Sequence, residues 1–424
     1  MHFLKFDNYG SDPLRAFGTR LPGLLLHVNN YSIDPLRALE TLPRAALALC
    51  AALALVCWGS SDTTTAAATP FPLQAFALTG APDSLADFQA HAQDIAVVYP
   101  TDYTCARGSG RVLGEGSPGE ADAIAAYARS RAIAVMPRFS CQDGPTVHAI
   151  LTDPWIRART LGALAGIAKS PAYAGVDLDL ENDTPSDRDA MSAFVDALAS
   201  ALHRESRRLS VDVDGVTHED PSVWTGFYDD RAIARAADYV FVMAWGVHWE
   251  GSSPGPIAPL SYVAAVARHL ASLPHARDRI VLGVPMYGLD WPLPAESSGP
   301  PPSALRPAPS SGRVLSFRRA PSSRRVLSSR PSPAGRPLAI ALQYASVLTL
   351  LRATGASPTL DRAVDEPTFT YTRAGVAHRV WYMNARSIAD RVRIARKYGL
   401  GAGVWRLGEE DQSLWSMSGR LGST

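Results

Sequence analysis

The sequence predicts an α/β fold built on a parallel sheet, and its pattern of apolar runs is the main observation. From Pro70 onward, short apolar runs alternate with segments of helical periodicity, as in repeated strand–helix units. Eight such runs can be placed, and eight units are enough to close a (β/α)8 TIM barrel. A doubly wound open sheet is the alternative fold, but no Gly-x-Gly-x-x-Gly motif follows an early strand.

The predicted strands are apolar on at least one face, and the sixth is apolar throughout, as a strand buried on both faces should be. In chain order they are Leu73–Leu78, Ile95–Pro100, Ile133–Phe139, the stretch Ala174–Asn182, Leu209–Val213, Tyr239–Trp245, Ile280–Pro285 and Gly401–Trp405. Helical periodicity predicts helices over Glu120–Arg131, Trp155–Ala168, Ser387–Tyr398 and from a cap at Ser186 and Asp189.

The composition is that of a globular protein. With 424 residues the chain could hold one large domain or two ordinary ones, and 46% apolar residues are enough for a sizeable core. The formal net charge of +1 gives no reason to expect a nucleic-acid partner.

The N-terminal part is predicted to precede a main domain at 70–424. Residues 1–42 form an unassigned extension, and 43–69 hold a signal or anchor segment followed by a linker. Arg44 precedes the uncharged apolar run Ala45–Trp58, which is shorter than the ~20 residues of a membrane span. We therefore expect a secreted or cell-envelope protein whose membrane contact is limited to an uncleaved anchor in this segment.

The stretch from Ala174 to Asn182 is the most informative part of the sequence. Successive side chains of a strand point to opposite faces, so Asp177, Asp179 and Glu181 share one face and apolar residues fill the other. Mutual repulsion should raise the pKa of at least one of these carboxyl groups, and an acid still protonated near neutral pH can act as a general acid. The alternative is an acidic strand edge that faces water or holds a cation.

This stretch resembles the active-site strand of glycoside hydrolase family 18, the chitinase-like TIM barrels, whose pattern is D-G-x-D-x-D-x-E. Ala174 replaces the first Asp, and the other positions match: Gly175, Asp177, Asp179 and Glu181. The resemblance implies retaining hydrolysis of a β-linked N-acetylhexosamine polymer, with the substrate's acetamide as nucleophile. It implies that Glu181 is the general acid and base, that Asp179 orients the acetamide and that Asp177 supports Asp179. It implies no metal or organic cofactor.

A second motif follows the sixth predicted strand, where family 18 commonly has M-x-Y-D. Met243 matches, but Trp245 replaces the Tyr and Gly246 replaces the Asp, so two polar groups that would hold the acetamide are missing. Trp245 could offer an indole N–H or a wall to the substrate, or it could simply fill the core. The segment that begins at His248 resembles the bacterial spore-germination branch of the family.

Three further segments supply candidate substrate-binding residues. Tyr287 follows the seventh strand in a segment similar to the family's G-x-P-x-Y-G, with Asp290 behind it. Trp405, on the eighth strand, resembles the aromatic floor of the family, because a flat indole matches the apolar face of a sugar ring. Tyr103, after the second strand, could form a wall of the cleft. Packing in the core is the alternative role for each aromatic residue.

Cys105 and Cys141 each follow a predicted strand, so both would sit at the same end of adjacent strands. They are predicted to form a disulfide if the domain is exported, and two buried free thiols are the alternative. No Cys-x-x-Cys or His/Cys spacing indicates a zinc site, so no metal is predicted.

Two insertions are predicted between strands seven and eight. Residues 297–336 are rich in Pro, Ser and Arg, a composition that cannot bury enough surface to fold. They are interpreted as a disordered insertion, or as a basic arm that touches an anionic polymer. Residues 338–384 resemble the small α+β insertion that family 18 enzymes often carry, with a helix and two strands at Leu338–Leu351, Thr368–Arg373 and Ala377–Met383.

These features favour a secreted or envelope-bound hydrolase whose partner is a polysaccharide substrate, either chitin-like or peptidoglycan. A catalytically weak or inactive carbohydrate-binding protein on the same fold is the alternative, and loss of the Tyr-Asp pair favours it. A third hypothesis is a surface-interaction protein that uses the basic insertion.

Overall fold

The structure is a computed structural model, and it describes residues 72–181, 184–220, 224–273, 279–293 and 338–417. The N-terminal extension, the predicted signal or anchor segment and the low-complexity insertion lie outside these residues. Within them, no helix is both long and apolar enough to cross a lipid bilayer.

The described strands form two sheets. In chain order the strands are β1 (Leu73–Ala77), β2 (Ile95–Pro100), β3 (Tyr103–Cys105), β4 (Val112–Gly114), β5 (Ala134–Val135), β6 (Arg138–Cys141), β7 (Gly175–Leu180), β8 (Arg208–Asp214), β9 (Tyr239–Met243), β10 (Ile280–Pro285), β11 (Gly288–Pro292), β12 (Ile340–Leu342), β13 (Thr359–Asp361), β14 (Glu366–Arg373), β15 (Val376–Tyr382) and β16 (Gly401–Trp405). The main sheet runs in the order β4-β3-β6-β7-β8-β9-β10-β16-β1-β2-β5, and all its neighbours except β3 and β4 are parallel.

The helices lie between the strands of this sheet in sequence, with one further helix in the insertion. They are α1 (Pro82–His91), α2 (Pro118–Ser130), α3 (Gly144–Thr152), α4 (Pro154–Ala168), α5 (Arg188–Arg204), α6 (Asp230–Ala236), α7 (Leu260–Ala271), α8 (Tyr344–Thr354) and α9 (Ala385–Lys397). The apolar stripe of α5 follows helical spacing and is buried through Met191, Phe194 and Leu198. The predicted α/β barrel is confirmed.

The third barrel strand differs from its prediction because Pro137 divides it. Instead of one strand over Ile133–Phe139, β5 pairs with β2 and β6 pairs with β7. Proline has no N–H to donate to a sheet, so a strand commonly breaks at this residue. The barrel still closes across the break, because the Ala174 N–H donates to the Val135 carbonyl at 2.8 Å.

The start of α5 also differs from the prediction. A 3₁₀ turn spans Pro185–Asp187 and α5 begins at Arg188, after Asp187, whose side chain makes no capping hydrogen bond. The cap predicted at Ser186 and Asp189 is therefore wrong. The sequence carries several polar residues at this point, and only the backbone decides which one precedes the first helical turn.

The second sheet is antiparallel, in the order β12-β11-β15-β14-β13, and it carries the predicted insertion. The predicted hairpin is present as β14 and β15, but the helix predicted from Leu338 starts only at Tyr344. Ile340–Leu342 form the short edge strand β12 instead, because β11 offers them an unpaired edge. Sequence analysis did not predict β11.

One buried carboxylate connects this insertion to the barrel. Both oxygens of Glu366, at the start of β14, accept hydrogen bonds of 2.7 Å from the N–H groups of Ile257 and Ala258 in the segment after β9. Arg391 of α9 is fully buried and lies 3.2 Å from the same carboxylate. Burial raises the pKa of Glu366 to about 7 against the opposing charge of Arg391. Glu366 thereby connects the start of β14 to the segment after β9 and to α9.

The structure joins Cys105 to Cys141 by a disulfide, with 5.2 Å between the two Cα atoms. The cysteines end the neighbouring strands β3 and β6. Cys141 alternates along β6 with Arg138 and Ser140, so the disulfide lies on the outer, helix-covered face of the sheet.

Gly175 at the start of β7 offers a test of how closely the barrel strands are packed. A Cβ placed there would lie 1.9 Å from the carbonyl oxygen of Arg208, which is backbone and cannot swing aside. We expect Gly175→Ala to lower the free energy of unfolding by about 3 kcal/mol through overpacking. Denaturation of the full chain by urea measures this difference.

Gly162→Ala is the matched control, because an added Cβ there meets nothing within 4 Å on the exposed side of α4. Alanine favours a helix over glycine, so this variant should be about 0.5–1 kcal/mol more stable than the parent. Equal effects of the two substitutions would contradict the tight contact between β7 and β8.

Candidate active site

Three neighbouring parallel strands direct polar side chains into the barrel at matching heights. Arg138 of β6 is in register with Asp177 of β7, and Asp177 is in register with Ser210 of β8. Residues in register on parallel strands share a face, and every second residue along each strand shares it too. The inward rows are therefore Arg138 and Ser140 on β6, Asp177 and Asp179 leading to Glu181 on β7, and Ser210, Asp212 and Asp214 on β8.

These rows bring five carboxyl groups together, which we call the acid cluster: Asp177, Asp179, Glu181, Asp212 and Asp214. None of the five residues is more than 7% exposed. Burial removes the water that would otherwise stabilise their negative charges. The cluster must therefore contain a compensating cation, hold protons, or do both.

Arg138 is the compensating cation. Its Nη2 forms an ion pair with Asp179 Oδ2, and its Nε lies 3.7 Å from Asp212 Oδ2. Burial opposes its charge, but Asp179 and Asp212 raise the pKa of Arg138 above its ordinary value. Sequence analysis missed this residue although it lies within the third predicted strand, because a charged residue near a strand end usually faces water.

Glu181 is an acid that keeps its proton to a higher pH than an ordinary glutamate. Burial raises its pKa well above the ordinary value, and the negative charges of Asp179 and Asp214 raise it further. Arg138 and a hydrogen bond of 2.5 Å from Gln142 Nε2 to Glu181 Oε1 act in the opposite direction. A carboxylic acid with these neighbours can deliver a proton near neutral pH.

The remaining acids around Glu181 are also shifted. Burial raises the pKa of Asp177 to about 7, with Asp179 adding to the rise and Arg138 opposing it. Burial raises the pKa of Asp212 and of Asp214 well above the ordinary value, and nearby carboxylates contribute to both shifts. Such a cluster releases protons one after another, since each loss makes the next one harder.

Aromatic rings line the barrel next to the acid cluster. The Trp405 ring lies 5.0 Å from the Arg138 guanidinium carbon and 5.0 Å from the Phe76 ring. The Phe76 ring also packs edge-on against Phe241 at 4.9 Å. Trp405 is 3% exposed, so a ligand would meet a small part of its ring. The candidate floor residue therefore adjoins the acid cluster through Arg138.

Met243, the last residue of β9, and Trp245 are buried in the same region. Met243 is in register with Asp214, so it shares the inward face, and Trp245 lies two residues further on. A Cβ at Gly283 would lie 2.7 Å from the Trp245 ring, so this glycine makes room for the indole. Gly246 has φ +78°, a conformation that glycine adopts without strain. The positive φ at this position therefore explains why a glycine stands where the family commonly has an Asp.

Tyr287 lies in a different acidic neighbourhood. It is buried, and burial raises the pKa of its hydroxyl well above the ordinary value, with further contributions from Glu250, Glu409 and Glu366. Its carbonyl accepts a hydrogen bond of 3.2 Å from the N–H of Met383. Tyr287 thus stands between the barrel and the insertion. Glu409 itself is paired with Arg406 at 3.1 Å.

Two candidate residues are placed away from the acid cluster. Tyr103 is in register with Phe139, which alternates with Arg138 and Ser140, so Tyr103 faces the helices instead of the barrel interior. Asp290 lies in the second sheet, where both its oxygens are engaged: Tyr371 donates to one at 2.6 Å, and His378 Nδ1 lies 3.0 Å from the other. We therefore leave both residues out of the proposed site.

The residues that sequence analysis missed had a detectable signal on one strand. Ser210-Val-Asp-Val-Asp alternates polar and apolar residues with the period of a strand, so a second row of acids could have been placed beside the first. No local pattern identifies Arg138 or Gln142, because their contacts depend on how β6 is paired with β7. The cluster as a whole could hold a cation only in competition with Arg138.

Comparison with known proteins gives a family match over most of the chain. A family model described as "Glycosyl hydrolases family 18" matches residues 124–410. YdhD of Bacillus subtilis, provisionally named a sporulation-specific glycosylase, is 27% identical over 264 residues, which cover 62% of this chain and 53% of YdhD. The cortical fragment-lytic enzyme of Bacillus subtilis is 25% identical over 270 residues, covering 63% of this chain and 54% of that enzyme. The match thus spans about half the length of each relative.

A solved structure gives the same indication. A chitinase from Chromobacterium violaceum is 25% identical, with a TM-score of 0.64, and the match covers 83% of this chain and 98% of the chitinase. The likeness therefore extends over the barrel and its insertion.

The Arg138 ion pair can be tested by substitution. Arg138→Met keeps the length of the side chain but leaves Asp179 buried without its cation, so we expect the free energy of unfolding at pH 7 to fall by about 3–5 kcal/mol. Arg138→Met combined with Asp179→Asn should recover part of that loss, since it removes the uncompensated charge. Urea denaturation of the full chain measures both.

Arg157→Met serves as the comparison, because Arg157 donates to the carbonyls of Leu151 and Ala193 and packs on Phe194, so that its described contacts are to backbone and an aromatic ring. Loss of those contacts should cost about 1–2 kcal/mol. Equal losses for the two arginine variants, or a double variant less stable than Arg138→Met alone, would contradict the ion-pair interpretation.

The protonation of Asp177 gives a pH dependence of stability. Its pKa is about 7 in the folded protein against an ordinary value of 3.8. Between these values the folded state keeps a proton that the unfolded state has released, so this residue's contribution to stability is lost as the pH rises. We expect Asp177→Asn to flatten the fall in unfolding free energy over this range by up to about 1.4 kcal/mol per pH unit.

The measurement is urea denaturation at half-unit steps between pH 4 and pH 7. Asp196→Asn, on the exposed side of α5, is the control and should leave the pH slope of the parent unchanged. The same slope in both variants would show that Asp177 does not carry the buried proton.

Proposed function

Because the chain belongs to glycoside hydrolase family 18, we propose that it hydrolyses O-glycosidic bonds in polysaccharides that contain N-acetylglucosamine. One observation carries the proposal: Glu181 is a buried acid with a raised pKa, at the end of β7 and beside the Arg138–Asp179 ion pair. That combination supplies a proton donor next to an oriented anion, which are the two groups that substrate-assisted hydrolysis requires.

In the first step, Glu181 gives its proton to the glycosidic oxygen as the bond from that oxygen to C1 breaks. The carbonyl oxygen of the substrate's acetamide forms a bond to C1 from the opposite side, and positive charge develops on the acetamide. Asp179 accepts a hydrogen bond from the acetamide N–H and stabilises that charge. Asp177, behind Asp179, supports its orientation.

In the second step, Glu181 takes a proton from a water molecule. The water oxygen forms a bond to C1, and the bond between C1 and the acetamide oxygen breaks, which restores the acetamide. Two displacements at the same carbon return the original configuration, so the enzyme is retaining. Proton transfer and electrostatic stabilisation are enough for both steps, and neither step uses a metal or an organic cofactor.

The other residues of the site hold the sugar and the acids in position. Arg138 orients Asp179 from the side of β6, and Trp405 provides the surface on which the sugar ring rests. Met243 and Trp245 form the wall after β9, and Tyr287 contacts the substrate where the insertion meets the barrel. These roles are in keeping with the contact of Arg138 with Trp405, with the register of Met243 and Asp214, and with the position of Tyr287 between the barrel and the insertion.

The substrate class we propose is chitin-like polymer or peptidoglycan, with the protein secreted or in the cell envelope. The names of the relatives support this range, since one is a cortical fragment-lytic enzyme and another a chitinase. Both polymers contain N-acetylglucosamine, and both lie outside the cytoplasm of the cells that make them.

The competing function is carbohydrate binding with little or no turnover. It is favoured by Trp245 and Gly246, which stand where the family commonly has a Tyr and an Asp for the acetamide. We prefer the hydrolase, because the acid cluster keeps a buried proton donor that a binding protein would not need.

The deciding experiment compares the full chain with Glu181→Gln on N-acetylglucosamine oligomers and on purified peptidoglycan. The amide cannot donate the proton, so kcat should fall at least about 100-fold while KM changes little. Product release is followed by chromatography and mass spectrometry, and binding by calorimetry.

Glu410→Gln is the matched control, a glutamate that is also buried with a pKa raised to about 7 but whose Oε1 accepts from the Trp415 indole instead. It should keep kcat within about threefold of the parent. Binding of oligomers without product release by the parent would replace the hydrolase by the carbohydrate-binding function.

A further inference from the structure

Outside the acid cluster, a second group of ligand-type side chains converges from three separate elements. Glu219 lies in the segment after β8, Asp230 begins α6 and His269 lies near the end of α7. One ligand atom from each residue lies within 4.8 Å of those of the other two. We propose that these residues bind a divalent transition-metal ion of the zinc type.

The state of their polar atoms is the main support. Glu219 Oε1, Asp230 Oδ2 and His269 Nε2 are all buried atoms that have no hydrogen-bond partner. Asp230 is only 3% exposed, so bulk water does not reach it to take the place of a partner. Buried polar atoms are nearly always paired, and three unpaired ones at one point indicate a missing ligand.

An ordinary histidine–carboxylate pair does not account for this geometry. His148 and Asp187 lie 2.6 Å apart, and His203 and Asp238 lie 2.9 Å apart, both within hydrogen-bonding distance. His269 Nε2 and Asp230 Oδ2 are separated by 3.8 Å. Two ligands that each lie about 2.1 Å from one tetrahedral ion stand about 3.4 Å apart, which is close to this spacing.

A cation at this group competes with two arginines that already contact Glu219. Arg188 Nη2 lies 3.4 Å from Glu219 Oε2, and Arg231 Nε lies 3.9 Å from Glu219 Oε1. Arg231 is half-exposed and would have to swing outward when the ion enters. The two carboxylates then neutralise the ion.

The donor set narrows the choice of ion. Imidazole nitrogen and carboxylate oxygen are both protein ligands of zinc, and water can take the fourth position. Calcium and magnesium prefer oxygen ligands alone, and no thiolate is present to favour softer metals. These ligands come from positions far apart in the sequence, so spacing motifs could not reveal them.

The group lies close in sequence to a residue that adjoins the acid cluster. Tyr228 stands two residues before Asp230, and its hydroxyl donates to the Leu180 carbonyl at 2.9 Å, next to Glu181. Binding would join Glu219 to α6 and α7 without taking part in any chemical step. The inference does not depend on the proposed hydrolase activity.

The test uses the full chain, stripped with a chelator and dialysed, and then titrated with Zn²⁺ in a calorimeter and in a thermal unfolding assay. We expect one Zn²⁺ per chain and a rise in Tm of about 4 °C at a 100-fold excess over Kd. His269→Gln and Glu219→Gln should each weaken binding at least about 100-fold, since even the loss of a residue that only orients a ligand costs 10–100-fold. Glu219 lies on the surface segment, so its variant should fold.

His203→Gln is the control, because it removes a histidine paired with Asp238, and no third metal-ligand side chain joins that pair among the residues that the structure describes. It should bind Zn²⁺ as the parent does. Two results would overturn the proposal: no Zn²⁺ binding by the parent, or binding that is equal in the parent, His269→Gln and Glu219→Gln, which would place the ion elsewhere.

Discussion

Buried negative charge is the constraint on which the centre of this molecule depends. Five carboxyl groups face the interior of the barrel, and among the described residues Arg138 is the guanidinium paired with them. One cation cannot balance five anions in a dry environment, so most of the acids must keep their protons. The fold thereby maintains protonated acids beside an oriented anion. The burial of these carboxyl groups therefore itself sets the protonation states on which acid catalysis depends.

The same constraint explains which parts of the site the sequence could and could not predict. The row Asp177, Asp179 and Glu181 was predictable, because acids at every second position of an apolar strand have few structural uses. Arg138 was not predictable, because its role arises from the register between β6 and β7, and Pro137 changes that register by dividing the third strand. Tyr103 and Asp290 show the converse: a suitable residue type near the right strand end can face another layer.

At the level of the fold, alternation of apolar and helical segments was enough to predict the eight barrel units. The errors occurred where pairing between distant segments decides the conformation, as at β11 and β12, which stabilise each other as strands. Local patterns cannot show that a partner edge is available. The group of Glu219, Asp230 and His269 could not be predicted for the same reason, because it depends on where one loop and two helices meet.

The pairing of β11 with β12 has a practical consequence. Asp290 of β11 is opposite Ile340 of β12, so the described residues on the two sides of the low-complexity insertion lie on neighbouring antiparallel strands. Two such strands can be joined by a turn of two residues, and the entropy cost of a longer connection grows only slowly with its length. The connection between β11 and β12 is therefore a suitable insertion site. A purification tag, a fluorescent label or a foreign domain could be inserted there without a change in the structure of the barrel.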